Sequence, residues 1–218
     1  MSGALRFLSS SVGKKLLMAL TGFFLVSFLT FHLTMNLFLF EGSRGSFSSF
    51  ADFLGTFPIV RPIEWILFGG FLLHLLLGSF VWLMNRRARP QAYKVKGTSK
   101  TIKLSSRLTI YTGVAILAFL VWHLIQFFIA SRFAGHPVDM FVLVAQAFSN
   151  PVTIVLYEIL FVILGFHLNH GFQALFQSLG LRTAKYRGFI DAVGVIVWLL
   201  IPLGFASIPL VMYFGGAR

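Results

Sequence analysis

Residues Leu16–Phe40 read LLMALTGFFLVSFLTFHLTMNLFLF, a run without a formal charge that holds His32 deep inside it. Such a run is long enough to cross a membrane, because a helical span needs about 20 apolar residues. Water cannot solvate a titratable imidazole at that depth, so the ring needs a partner, and ionisable groups inside a bilayer are candidates for function. The stretch predicts a transmembrane helix with a functional histidine.

The same combination of an apolar run and a histidine recurs along the chain. Five runs qualify as spans, at residues 16–40, 65–84, 108–131, 152–178 and 192–214. The second carries His74, the third His123, and the fourth His167 with His170 one turn on. The fifth holds no histidine, so we expect it to serve in packing. The predicted fold class is an all-α membrane protein, with one transmembrane domain of five bundled helices over residues 1–218. No internal repeat is evident.

The composition agrees with a membrane protein and excludes several kinds of site. The chain is 57% hydrophobic and 11% charged, whereas soluble domains carry about 25% charged residues. Because there is no cysteine, disulfides, iron–sulfur ligation and covalent c-type haem attachment are excluded. Any metal must use His, Met or carboxylate ligands. The net charge of +12 comes from Lys and Arg residues in the segments between the spans. These residues form no basic patch interleaved with aromatic residues, so we expect no nucleic-acid partner.

The cations are distributed unevenly between the two ends of the predicted helices. Fourteen of the 18 Lys and Arg residues fall before the first span, between the second and third, or between the fourth and fifth. The other four are Arg44, Arg61, Arg132 and Arg218. Cytoplasmic loops carry the excess of Lys and Arg. The sequence therefore predicts a cytoplasmic N-terminus and a C-terminus outside.

The two segments predicted to face outward both contain helix-forming patterns. Phenylalanines recur at three- and four-residue steps over residues 47–57, which predicts a short amphipathic helix at the membrane surface. Residues 139–148 are apolar but too few to span. The sequence Ser149-Asn150-Pro151 after them predicts a helix start, with a capping side chain ahead of a proline at the first helical position.

The predicted orientation gives each histidine a depth. Measured from the cytoplasmic flank at 1.5 Å per residue, His32 and His123 lie about 25 and 24 Å deep. His74 lies about 18 Å from the same flank, and His167 and His170 about 22 and 18 Å. The odd-numbered spans thus supply an outer pair and the even-numbered spans an inner pair. Two pairs at two levels indicate bis-histidine ligation of two b-type haems, an arrangement for electron transfer across the bilayer.

Each feature also has a simpler interpretation. A lone histidine in a membrane helix is more often a hydrogen-bonding residue between helices than a ligand; four, one per helix and paired in depth, favour ligation. Gly70 and Gly78 share a helix face with His74, and Gly171 follows His167 by four residues. These glycines would let a porphyrin approach the backbone, or they would serve ordinary small-residue packing. His170 could hydrogen-bond a propionate or quinone, pack only, or replace His167.

Three short motifs resemble one family of membrane proteins: Ser10–Gly22 (SSVGKKLLMALTG), the Phe31-His32 pair followed by Asn36, and Phe166-His167 with Gly171-Phe172. The family is the di-haem cytochrome b membrane anchor of succinate dehydrogenase/fumarate reductase (succinate:quinone oxidoreductase), in its single-subunit, five-helix form. Span count, histidine order and orientation extend the resemblance over nearly the whole chain.

The resemblance implies ligands, cofactors and partners. Carried over residue by residue, it gives His32 with His123 for the outer haem and His74 with His167 for the inner one, which agrees with the depths. The family's helix-four ligand stands four residues before a glycine, which favours His167 over His170. Iron–sulfur and flavoprotein subunits would dock on the cytoplasmic face of a bacterial inner membrane, and electrons would pass through two haem b groups to or from a quinone, usually menaquinone.

Quinone chemistry also needs a group that exchanges protons. Some relatives have a carboxylate two residues before the helix-four ligand, but this chain has Gly165 there. Glu158 lies about two turns into the fourth span from its outer end, and Glu64 begins the second span near the same surface. Both are candidates for proton exchange at an outer quinone. Glu64 could instead be a solvated carboxylate favoured by the helix dipole, and an inner quinone site stays open.

Two rival functions remain at this point. A di-haem cytochrome b of a hydrogenase or formate dehydrogenase would share the ligands but have other partner subunits. A transporter that uses histidines as proton relay or metal ligands would bind no haem. Such a transporter would favour carboxylates or broken helices at mid-membrane, of which this chain offers little.

Overall fold

The computed structural model describes residue 6 and residues 10–41, 44–87 and 100–215, and the regular elements within these ranges are all helical. Arg89, Lys94, Lys96 and Arg218, which contribute to the predicted orientation, lie outside these residues. Five helices are long and apolar enough to cross a membrane, at Val12–Phe40, Val60–Arg87, Leu108–Arg132, Pro151–Ser178 and Arg187–Phe214. They are called the first to fifth spans below, and they confirm a multi-pass, all-helical protein.

The first, second and fifth spans are longer than predicted, and the first begins at Val12. The second extends from Val60 to Arg87, and the fifth begins at Arg187. The charged flanks continue the helix because Arg and Glu are good helix formers, and their long side chains reach the interface from inside the last turn.

Three of the spans combine regular α-helix with another helical geometry. The first is α-helical over Ser11–Asn36 and ends in a 3₁₀ turn, Leu37–Glu41. The third is α-helical over Lys100–His123 and continues through a π-helical turn, Leu124–Ile129, into Ala130–Arg132. The fifth consists of Arg187–Val195, a π-helical turn at Ile196–Leu200, and Ile201–Phe214.

Two short helices connect spans at the end predicted to face outward. The first connecting helix is Arg44–Thr56 and the second is Met140–Phe148. Asp139 caps the second by accepting from the backbone N–H of Phe141 at 2.9 Å, and the Ser48 hydroxyl donates to the same carboxylate at 2.7 Å. One aspartate therefore both starts one connecting helix and ties it to the other.

The start of the fourth span confirms the helix signal in the sequence. The Asn150 side chain accepts from the Val152 backbone N–H at 2.9 Å, and Pro151 occupies the first helical position. A proline costs nothing there, since the first N–H groups of a helix have no partner inside it.

The first and fourth spans are the centre of the bundle. The first packs against the second, fourth and fifth, and the fourth packs against the first, third and fifth. The second and third touch each other only slightly. The second span has no buried residue among those described.

The hydrophobic core lies towards the end that carries the connecting helices. Leu39 and Tyr157 are each 2% exposed, and Phe47, Phe141 and Phe148 from the connecting helices belong to the same buried cluster. At that end the connecting helices close the bundle over the spans.

Exposed amphipathic aromatic residues lie near both ends of the spans. Trp65 and Tyr213 are exposed near the end with the connecting helices, and Trp82, Tyr111 and Tyr186 near the other. Tryptophan and tyrosine are enriched at the two membrane–water interfaces. Their positions are typical of a helical bundle that crosses a bilayer.

Candidate bis-histidine sites in the helical bundle

The structure brings the four span histidines together as two pairs. His32 of the first span meets His123 of the third, with ring centroids 6.0 Å apart and ring planes at 88°. His74 of the second span meets His167 of the fourth, with centroids 6.5 Å apart and planes at 69°. These are the two pairs expected from depth, and they are called the outer pair and the inner pair below.

Threonine hydroxyls hold both rings of the inner pair. Thr21 Oγ1 lies 3.1 Å from His74 Nδ1, and Thr112 Oγ1 lies 3.2 Å from His167 Nδ1. Each hydroxyl donates its hydrogen to a backbone carbonyl of its own helix at 3.0 Å, Met18 for Thr21 and a carbonyl three residues back for Thr112. With its hydrogen on that carbonyl, each hydroxyl oxygen acts as an acceptor, and the tautomer that matches it has the proton on Nδ1 of the ring.

This hydrogen bonding decides which ring nitrogen is free. Because Nδ1 of His74 and of His167 carries the proton that is donated, Nε2 of each neutral ring keeps its lone pair. Metal-binding histidines almost always donate the other ring N–H in this way, which fixes the tautomer and the ring orientation. The inner pair therefore has the protonation pattern of two metal ligands.

The outer pair is held by one hydrogen bond and by aromatic rings. Tyr157 donates its hydroxyl hydrogen to Gln126 Oε1 at 2.8 Å, so its oxygen accepts from His123 Nδ1 at 3.2 Å. His32 stacks on Phe28 with centroids 5.5 Å apart and contacts Phe205 at 5.7 Å. Nε2 of His123 is again the nitrogen left free.

The separations within both pairs fit a shared metal. Two imidazole nitrogens that each bind a metal at about 2.0–2.1 Å set their ring centroids about 6.3 Å apart, and the observed values are 6.0 and 6.5 Å. In the part of the chain that the structure describes, no group of three or more His, Cys, Asp or Glu residues is arranged for a metal. A haem iron needs only two axial protein ligands, so the residues present fit haem.

The remaining two histidines take no part in the pairs. His167, and not His170, is the helix-four residue whose ring meets His74. His136 lies exposed in the segment between the third span and the second connecting helix, where its Nδ1 lies 3.2 Å from the Pro137 carbonyl.

The glycines differ in what they contact. A Cβ at Gly70 would lie 2.6 Å from the Phe24 ring and one at Gly78 3.3 Å from Met18 Cε, both in the first span. Both glycines therefore allow close packing of the first two spans, which is the simpler of their two interpretations. A Cβ at Gly171, which is exposed, would meet nothing within 4 Å, so this glycine takes no part in close helix packing.

The two candidate proton-exchange residues lie in different surroundings. Glu64 forms ion pairs with Arg61, at 3.3 Å, and with Arg132 of the third span. Arg132 also donates to the Gly55 carbonyl at 3.4 Å, which links the first connecting helix to this cluster. Glu158 has a buried Oε1 without a hydrogen-bond partner among the described residues. Glu158 is therefore the carboxyl group that is open to a ligand or a proton.

A polar chain follows the fourth span towards its end beyond His167. Gln173 donates to Asn169 at 2.6 Å and accepts from Arg182 at 3.0 Å, and Arg182 also pairs with Asp191 of the fifth span at 3.4 Å. This series of hydrogen bonds and the ion pair hold the turn between the last two spans in place.

The sequence alone did not reveal Thr21, Thr112 and Tyr157 as supports of the histidines. One signal was present for the threonines, because each stands eleven residues before a span histidine, His32 or His123. Comparisons of the chain with protein-family models, with curated proteins and with solved structures find no match.

Proposed function

We propose that this chain is the membrane-anchor and electron-transfer subunit of a succinate:quinone oxidoreductase. The observation that carries the proposal is the pair geometry: two imidazole pairs with ring centroids 6.0 and 6.5 Å apart, each of which could hold one iron between its rings. The motifs that resemble the di-haem cytochrome b anchors support the same function. Electrons would pass between an iron–sulfur subunit and a membrane quinone.

The ligands follow from the pairs. His32 and His123 would hold one haem b, and His74 and His167 the other. Bound haem supplies reversible one-electron oxidation and reduction. Thr21, Thr112 and Tyr157 hold the rings in a ligating orientation, while Phe28 and Phe205 keep water from the outer pair.

The proposed orientation places the N-terminus in the cytoplasm of a bacterium and the C-terminus outside its inner membrane. The uneven distribution of Lys and Arg supports it. At the proposed cytoplasmic end, Lys14 lies over the Phe80 ring at 4.6 Å and Arg86 over Trp82 at 5.3 Å. These two cations, with the other Lys and Arg residues that the sequence assigns to the same side, are the proposed docking surface for the iron–sulfur and flavoprotein subunits.

The central test is a dithionite-reduced minus oxidised spectrum of the purified chain, with pyridine haemochrome quantification. Two b-type haems per chain are the expected result. No haem in a well-folded preparation would overturn the proposal and favour the transporter.

The same preparation distinguishes the two di-haem functions. Purified gently from its native membrane, the chain should carry flavoprotein and iron–sulfur subunits with succinate dehydrogenase or fumarate reductase activity. Co-purification with a hydrogenase or formate dehydrogenase instead would assign the haems to that complex.

We further propose that Glu158 exchanges protons with the quinone, usually menaquinone in such anchors. Replacement of Glu158 by Gln is expected to slow the reaction with a menaquinone analogue at least tenfold, because an amide cannot exchange a proton, while both haems stay bound. Glu158→Asp, which keeps the carboxyl group, should retain more of the rate. The measurement is steady-state quinone turnover of the intact complex, normalised to haem content.

Glu64 is the matched comparison for this test. Glu64→Gln removes one partner from Arg61 and Arg132, so we expect lower thermal stability and a smaller effect on turnover. The reverse order, with Glu64→Gln slower than Glu158→Gln, would assign proton exchange to Glu64.

A further inference from the structure

The first and third spans carry the same arrangement of residues, which corrects the expectation that the chain has no internal repeat. Thr21-Gly22 precedes His32 with nine residues between, and Thr112-Gly113 precedes His123 with the same nine. A phenylalanine stands four residues before the histidine in both spans and packs on its ring, Phe28 at 5.5 Å and Phe119 at 5.6 Å.

The repeated residues make the same contacts in both halves of the chain. Each threonine bonds Nδ1 of the histidine in the next span, 53 residues on for Thr21 and 55 for Thr112. Each glycine lies beside the same ring, where a Cβ would stand 3.4 Å from Cε1 of His74 and 3.5 Å from Cε1 of His167. The first two spans and the next two are therefore equivalent helical hairpins.

The spacing gives each odd-numbered span two tasks. Eleven residues make close to three helical turns, so Thr21 and His32 lie on one face, about 16 Å apart along the axis. The same holds for Thr112 and His123. Each of these helices thus offers a ligand to the outer pair and a hydrogen-bond acceptor to the inner pair.

The two levels differ in how their rings are held. Both rings of the inner pair donate Nδ1–H to a threonine, whereas the outer pair has the bond from His123 to Tyr157 and aromatic contacts on His32. Donation from the far ring nitrogen makes the ligating nitrogen more basic, and a more basic axial ligand favours ferric over ferrous iron. Hydrogen bonds to the ring nitrogen that does not bind the iron are among the means by which a protein sets a haem potential.

We propose that Thr21 and Thr112 are equivalent positioning residues of the His74–His167 site, and that they lower the reduction potential of the haem at that level only. They fix Nε2 as the ligating atom of both rings. This inference rests on the proposed binding of two haems, and it concerns one level of the two.

The test compares Thr21→Val, Thr112→Val and the double variant with the unmodified chain as haem-loaded protein in detergent. Valine keeps the branched shape and removes the acceptor oxygen. Optical redox titration should resolve two haems, one of which moves to a higher midpoint potential in each single variant and further in the double variant. The low-spin EPR signal of the same haem should change as its rings reorient. Thr→Ser at both sites keeps the hydroxyl and should restore both readouts.

Tyr157→Phe is the matched control at the other level. It removes the acceptor of His123 and should move the other haem, with no change at the threonine-supported level. If the valine variants lose one haem and the serine variants keep it, the result would also support the inference, because the hydroxyls would then be needed to hold His74 and His167 as ligands.

Unchanged potentials and EPR signals in the double valine variant, with both haems bound, would overturn this inference and leave the proposed function standing. Equal shifts of both haems would overturn it as well, since they indicate a general change in the bundle. An unmodified chain without haem would instead overturn the proposed function.

Discussion

If His32–His123 and His74–His167 each hold one haem as proposed, we expect replacement of His32 or His123 by alanine to remove one haem and replacement of His74 or His167 to remove the other. Alanine would leave a single imidazole to hold the haem at the affected level, whereas the other level would keep both rings. Pyridine haemochrome quantification should therefore fall from two haems to one per chain in each single variant. In reduced minus oxidised spectra, the outer-pair variants should lose the contribution of one haem and the inner-pair variants the contribution of the other.

The controls for this experiment come from the two histidines outside the pairs. His170→Ala and His136→Ala should keep both haems, since it is the His167 ring that meets His74 and His136 lies exposed in a connecting segment. A variant with one ring removed at each level should lose both haems. Two haems retained in His167→Ala, together with loss in His170→Ala, would make His170 the ligand.

Replacement of Gly165 by leucine is expected to separate the fourth and fifth spans and to lower stability strongly. A Cβ there would lie 2.9 Å from the Trp198 carbonyl oxygen. That carbonyl faces the glycine because Pro202, four residues on, has no N–H to bind it, and the π-helical turn lies at the same place. Overpacking destabilises a protein by about 1–3 kcal/mol when neighbouring side chains can shift to relieve it. The clash at Gly165 is with backbone, which shifts less easily, so we expect a cost at the upper end of this range or above it.

Gly171→Ala is the matched control, because a Cβ there has open space and alanine is the better helix former by up to about 1 kcal/mol. Thermal unfolding in detergent, followed by helical circular dichroism, should show a lower midpoint for Gly165→Leu and an equal or higher one for Gly171→Ala. Equal midpoints for the two variants would contradict the close approach at Gly165.

The close contact at Gly165 also gives a physical reason why this chain lacks the carboxylate that some proteins of the resembled family carry two residues before the helix-four histidine. A glutamate two residues before His167 would have to displace the fifth span, since Trp198 occupies the space where its Cβ would lie. A proton-exchanging carboxylate in this chain must therefore stand elsewhere. Glu158, two helical turns away on the same span, has the buried oxygen without a partner.

The order of the elements and the pairing of the histidines could be predicted from the sequence. Long apolar runs determined the five spans, four of them free of formal charge and the fourth carrying only Glu158, because a bilayer disfavours formal charge and a span needs about 20 apolar residues. Asn150 and Pro151 predicted the start of the fourth helix, since capping depends on local residues only. Depth followed from counting 1.5 Å per residue, and it paired His32 with His123 and His74 with His167.

Contacts across helices were decided by the tertiary structure alone. The threonines that hold His74 and His167, the Arg132–Glu64 ion pair and the contact of Gly165 with Trp198 each join different spans. They depend on how each helix is rotated about its own axis. A helix that is apolar on every face has no polar side to reveal that rotation. The depth of each residue could therefore be predicted from the sequence, whereas only packing decided which side chains it contacts.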